Sequence, residues 1–265
     1  MLGELLARYH CNAEWLAKVW TDARATRPSK MPPPADIGPF DPTVLAAHPK
    51  YRFAAFERMV PPPADFLRYL IEQPRVVPQP LDDSTRKRLG LYGKRELLVV
   101  KRDPTVRREG LEAVQRLQDN PMASFRAWWA FEGFTHVDCC LTTPRVVVFI
   151  EGKHTEKVST KVRWCAERNQ LWRNVEAAAQ LAAGREFGVI LGVETAAAGT
   201  AALDEADRTL TSSYPHLSDA EQQRLSRHLL GFVTWPDLVH QFELSESCLI
   251  ERPPTPAYQR RRRAT

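Results

Sequence analysis

The run Val146-Val147-Val148-Phe149-Ile150 is apolar at every position and leads directly into Glu151-Gly152-Lys153. Side chains along a strand alternate between its two faces, so this run is apolar on both and belongs in the middle of a covered sheet. Charges are seldom placed at the end of such a strand unless they are paired or used. The chain is therefore constrained to bury one central strand between two layers and to give its polar end a task. A hydrophobic share of 43% over 265 residues supplies enough core for that.

The flanking sequence predicts how the strand is surrounded. Residues 135–141 read as a strand and Thr142-Thr143-Pro144 as a turn, so two neighbouring strands bring Asp138 toward the corner where Glu151 lies. Glu151 and Lys153 point to one side, about 6.6 Å apart at roughly 3.3 Å per residue. A helix over 162–183, a strand over 187–193, helices over 201–210 and 219–230 and a short strand near Phe232 follow. Upstream, the spacing predicts a strand over 96–100 and a helix over 106–118. Asn120-Pro121 marks a helix start, and residues 122–131 read as either a helix or the first strand of a meander.

The first third of the chain has a different texture. Thirteen of the 21 prolines fall between residues 28 and 80, which excludes long helices there. The same stretch carries Tyr51, Phe53, Phe56, Phe66, Leu67, Tyr69 and Leu70, too many large apolar groups for a free linker. Short helices over 46–59 and 64–73 are expected, with an earlier helix over 4–23. The chain thus divides into a helical, proline-rich N-terminal region over 1–93 packed on an α/β core over 94–252. A disordered basic tail over 253–265 completes it.

Charge gives a weaker signal than the pI of 9.0 suggests. Of the net +5, four charges belong to Arg260, Arg261, Arg262 and Arg263, leaving the body close to neutral. Five cysteines, odd in number and without a CxxC pair, read as reduced thiols and not as a disulfide framework or zinc site. No stretch approaches the roughly 20 apolar residues of a membrane span, and the opening residues lack a signal-peptide pattern. A cytoplasmic protein is expected. The absence of Gly-rich phosphate loop, HExxH and GxSxG patterns disfavours familiar nucleotide triphosphatases, zinc proteases and serine hydrolases.

Two carboxylates and an ammonium at one corner are the parts for a specific chemistry. Asp138 and Glu151 offer hard oxygen donors suited to Mg²⁺ or Mn²⁺. Lys153 can orient a nucleophilic water and offset developing charge on a phosphoryl oxygen. A structural ion-pair cluster at a sheet end is the plainer alternative.

Asp138, twelve intervening residues and then Glu151-Gly152-Lys153 resemble the Asp…(Asp/Glu)-x-Lys pattern of the PD-(D/E)xK superfamily, the restriction-endonuclease-like nucleases. The resemblance covers roughly residues 105–195, with Val137 standing where the motif's name has proline. It implies an α/β fold with a restriction-endonuclease-like core: a helix, a three-stranded meander, a helix and a strand. It also implies a divalent-metal-dependent endonuclease that hydrolyses DNA phosphodiester bonds with Mg²⁺, or Mn²⁺ in its place. Asp138 and Glu151 would bind the metal and Lys153 would assist the water. One branch of the superfamily carries a glutamine in the second core helix near the site, and Gln170 matches it; the tyrosine often found four residues later is Asn174 here.

Further candidates surround these. An acid from the first helix is often a metal ligand in the superfamily, which makes Glu112 and Glu109 candidates, although a solvated helix face explains each equally. Glu132 is either a ligand or an ion-pair partner before Gly133. Gln170, Arg173 and Asn174 share one helix face at i, i+3 and i+4, suited to holding a phosphate or supporting the metal ligands, and Arg168, Arg173 and Asn174 are candidates for contacting nucleic-acid phosphates. His136 and His154 flank the acids and read as supporting or surface residues. DNA is the expected partner, and a homodimer is compatible with cutting two strands. The alternatives are a catalytically inactive nucleic-acid-binding or adaptor protein on the same fold, and a metal-dependent hydrolase acting on RNA.

Overall fold

The computed structural model describes residues 14–39, 58–73, 84, 93–119, 134–154, 156–159 and 168–244. Its centre is a four-stranded sheet formed by β3 (Cys139–Thr142), β4 (Val146–Gly152), β5 (Glu186–Val193) and β6 (Leu229–Thr234), in that spatial order. β3 runs antiparallel to β4, whereas β5 and β6 run parallel to it. A smaller sheet pairs β1 (Arg58–Val60) with β2 (Thr135–Val137), antiparallel. The molecule is accordingly a mixed α/β protein.

The alternation expected of β4 sorts its residues into two apolar layers. Val146, Val148 and Ile150 pack with Ile190 against Trp15, Leu16, Val19 and Trp20 of α1 (Glu14–Ala25). Trp235, Leu238 and Val239 of the short terminal helix Trp235–Gln241 cover the same face. Val147 and Phe149 point the other way, with Val189 and Leu191, onto Leu171, Trp172 and Val175 of the helix Gln170–Ala182. The helices Ala196–Arg208 and Asp219–Ser226 contribute Leu203 and Leu225 to that layer.

A third apolar cluster lies in the N-terminal half. It joins Phe66, Leu67, Leu70 and Ile71 of α2 (Ala64–Glu72), Leu98 and Val99 of α3 (Lys94–Val99) and Val106, Val114 and Leu117 of α4 (Pro104–Asp119). In chain order the remaining helices are α5 (Gln170–Ala182), α6 (Ala196–Arg208), α7 (Leu210–Ser213), α8 (Asp219–Ser226) and α9 (Trp235–Gln241). The Ala64 N–H at the start of α2 donates to Gln180 Oε1 of α5 at 2.9 Å, tying this cluster to the sheet's helical layer.

Several expectations are corrected. The run over 96–100 is helical, because Leu98 and Val99 complete the cluster with α2 and α4; periodicity cannot separate strand from helix in so short an apolar run. Arg58 and Met59, expected at the end of a helix, are in β1, where they pair with Val137 and His136. The strand expected over 135–141 is interrupted at Asp138, so its two halves enter different sheets. Helix α5 begins at Gln170, eight residues later than expected, with Asn169 as N-cap accepting the Leu171 N–H at 2.9 Å. The expectations for 4–13, 46–57, 120–133 and the tail 253–265 lie outside the described residues.

Candidate active site

The break at Asp138 is what makes the corner. Cys139 pairs with Ile150, so the antiparallel register continued by one residue sets Asp138 opposite Glu151. There the Asp138 carboxylate accepts the backbone N–H of Gly152 at 2.9 Å, and the side chain stays exposed. Glu151 is the reverse case. It continues the Val147–Phe149 face toward α5 and is only 1% exposed.

The hydrogen-bond partners of Glu151 are residues singled out in the sequence. Its Oε1 accepts from Lys153 Nζ at 2.6 Å and from Gln170 Nε2 at 2.5 Å. Its Oε2 accepts from Asn174 Nδ2 at 2.7 Å. Gln170 and Asn174 stand one turn apart on α5, whose N-terminal turn favours a negative charge. Burial pushes the Glu151 carboxyl above its ordinary value and the Asp138 charge adds to this, while Lys153 and Asn174 oppose it. The Lys153 side chain is itself 13% exposed. Gln170 is held in turn, its Oε1 accepting the Ser159 N–H at 3.3 Å.

Two residues behind the corner escaped the sequence reading. Gly152 and Gly192 are paired across β4 and β5, and the Trp235 indole lies on both. A Cβ on Gly192 would fall 2.0 Å from the ring. The Trp235 N–H donates to the Lys153 carbonyl at 2.9 Å, and Lys153 N–H donates to the Gly192 carbonyl at 2.8 Å. The sequence signal was the Thr234-Trp235-Pro236 step after an apolar strand: Thr234 caps α9 and proline occupies its first turn. His154 pairs with Glu194 at 2.6 Å, both about one third exposed.

The remaining candidates are placed elsewhere or differently. Glu112 is exposed on α4 between Arg108 at 4.0 Å and Arg116 at 3.9 Å, and Glu109 pairs with Lys94 at 2.5 Å. Glu132 lies outside the described residues. Arg173 is partly buried on α5, and Asn174 is fully buried against Glu151, which removes it from any phosphate.

Arg168 is likewise withdrawn from solvent, at 0% exposure. It bonds the Ser213 carbonyl at 2.9 Å, pairs with Glu176 at 2.8 Å and stacks 3.7 Å from the Phe66 ring centre. A fully buried, ion-paired guanidinium cannot reach a nucleic-acid phosphate in this fold, so its role is to lock α2 onto α5.

Among the described residues no group of three or more His, Cys, Asp and Glu side chains is gathered to hold a metal ion. Asp138 and Glu151 are the pair available for one. Their donor chemistry fits a hard divalent cation: both are carboxylates, their charges repel, and Mg²⁺ commonly takes only one or two protein carboxylates with water and phosphate oxygens. No helix among the described residues is long and apolar enough to cross a membrane. Compared with protein-family models, curated proteins and solved structures, the chain shows no match.

Proposed function

We propose that the chain is a divalent-metal-dependent nuclease that hydrolyses DNA phosphodiester bonds, built on a restriction-endonuclease-like core. The observation that carries the proposal is the convergence on Glu151: Lys153, Gln170 and Asn174 bond its two oxygens while the Asp138 charge faces it. A buried carboxylate needs its oxygens hydrogen-bonded whatever its role, but the second acid beside it is a cost that a bound cation would offset. The order α4, β3, β4, α5, β5, with β5 returning parallel to β4, supports the core assignment. The segment read as either a helix or the first meander strand, 122–131, lies outside the described residues.

Held by Asp138 and Glu151, Mg²⁺ or Mn²⁺ would neutralise charge on a phosphoryl oxygen and acidify water. The chain's own residues do the rest. Gln170 and Asn174 fix the Glu151 carboxylate in one orientation, so that its geometry is set before substrate arrives. Lys153 spends one N–H on Glu151 and keeps two for a phosphate oxygen or an attacking water. The Gly152 N–H holds Asp138 beside the buried strand end.

The test is cleavage of supercoiled plasmid, linear duplex, single strands and RNA by the purified chain, with Mg²⁺, Mn²⁺ or EDTA. Plasmid should be cut with either metal and spared in EDTA. Asp138→Ala, Glu151→Ala and Lys153→Ala should each abolish or cripple the reaction. Cutting of RNA alone would move the assignment to an RNA hydrolase. No cleavage of any substrate would leave a non-catalytic binding protein in its place, and full activity in all three variants would take the active site away from Asp138, Glu151 and Lys153.

A further inference from the structure

At the other end of the parallel strands the structure gathers positive charge. The last turn of α1 and the turns after it carry Arg24, Arg27 and Lys30, and the end of α8 carries Arg224 and Arg227. The two segments are pinned together, since the Met31 N–H donates to the Arg227 carbonyl at 3.0 Å and the Lys30 N–H to the Arg27 carbonyl at 3.0 Å. Arg24 Nε bonds the Lys30 carbonyl at 2.9 Å, which fixes the turn.

Acidic compensation is thin. Arg27, 11% exposed, reaches Asp207 through Nη2 at 2.6 Å, while its Nη1 is buried without a hydrogen-bond partner. Further acids stand by these segments: Glu186, felt at His228, and Glu221, whose carboxyl feels the Arg224 charge. Among the described residues the Lys30 ammonium and the Arg227 guanidinium have neither a hydrogen bond nor an ion pair, and Arg224 and Arg227 are exposed. Burial foremost, with Arg27 and Arg227 adding to it and Asp207 opposing, lowers the Lys30 pKa. Crowding cations at a half-buried lysine costs stability unless an anion answers them.

We propose that Lys30 and Arg227, backed by Arg27 and flanked by Arg224, form a contact surface for nucleic-acid backbone phosphates away from the bond that is cut. A half-buried lysine at a turn beside exposed arginines at a helix end suits a strand that tracks across a surface. β6 begins two residues after Arg227 and runs parallel to β4, so this surface sits about one strand length, roughly 20 Å, from Glu151. One duplex passing both points would be anchored here and presented there. The inference takes its ligand from the proposed function, but its test needs no cleavage.

Binding of a labelled 20-base-pair duplex is measured in EDTA across a salt series. The parent is compared with the Lys30→Gln, Arg227→Gln double variant, and with a Lys101→Gln, Arg107→Gln double variant of equal net charge. The first double should weaken binding and lower the log–log salt slope by about 1.8, at roughly 0.9 per phosphate contact. The control should keep the parental slope, and single Arg227→Glu should weaken binding without lowering the melting temperature. An unchanged slope, an equal fall in both doubles, or a parent that binds no duplex overturns the surface. The plasmid assay decides the nuclease reading separately.

Discussion

The Asp138 carboxylate is held by the backbone N–H of Gly152, the residue next to Glu151 on the strand, at 2.9 Å. This single bond keeps two negative groups at one corner. Asp138→Asn keeps an acceptor for Gly152 and removes the charge that helps push Glu151 upward. Because the folded pKa of Glu151 is raised, its contribution to stability is full below the ordinary value of 4.5 and is lost as pH rises through the folded value. In EDTA the parent should therefore lose stability over that window more than Asp138→Asn does, and the variant should melt at least as high at neutral pH. Thermal melts from pH 4 to 8 check this. Added Mg²⁺ should raise the melting temperature of the parent and not of the variant; a parent that ignores Mg²⁺ would count against Asp138 and Glu151 as metal ligands.

Gln170 reaches Glu151 with its amide nitrogen and is itself fixed by Ser159. Gln170→Ala should leave the fold intact and slow DNA cleavage by about 10- to 100-fold, the range for residues that orient a ligating group. Single-turnover rates at saturating metal measure it. Full activity would show that Asn174 and Lys153 suffice to hold the carboxylate.

The legibility of this chain follows from where its signals are local. The central strand was readable because apolar residues on both faces leave a strand no place but the middle of a sheet. Glu151 and Lys153 were readable from spacing and Gln170 from the resemblance, and the three side chains do meet. The break at Asp138 was not, since nothing in Val137-Asp138-Cys139 announces that one strand serves two sheets. Arg168 and Asn174 show the other limit. Polar residues look alike in sequence whether they meet a phosphate, a buried carboxylate or another buried partner. Only the packing of α2 and α5 decides it.

Gly192 and Trp235 fit one another so closely that neither tolerates change in isolation. Gly192→Ala places a methyl 2.0 Å from the indole and should destabilise the chain by about 1–3 kcal/mol, as overpacked cores do. Trp235→Phe leaves the ring stacking and removes the bond to the Lys153 carbonyl, a loss of about 1 kcal/mol. Urea unfolding reads both. If the indole also steadies the strand end, Trp235→Phe should lower the single-turnover cleavage rate while leaving DNA affinity in EDTA unchanged. Equal parental rates would confine Trp235 to packing.

Arg168 and Glu176 form an ion pair in which the guanidinium is wholly buried, so removing one partner should cost far more than removing both. Burial by itself would raise the Glu176 carboxyl, but Arg168 and His216 outweigh it and hold the group below its ordinary value. Its stabilisation is thus present above the unfolded value of about 4.5 and is lost as pH falls through the folded one. Arg168→Met should destabilise the chain by about 3–5 kcal/mol at pH 7, because Glu176 loses its guanidinium partner. The Arg168→Met, Glu176→Leu double should recover much of that loss, since apolar replacements of similar volume often match a buried pair. Urea titrations of the three proteins at pH 7 and pH 4 test the cycle, and the single variant's deficit should shrink at the lower pH. The double variant should also bind DNA with the parental salt slope, because Arg168 is packed beneath Phe66 and not directed at phosphates. A reduced slope in a folded double variant would return Arg168 to the nucleic-acid interface.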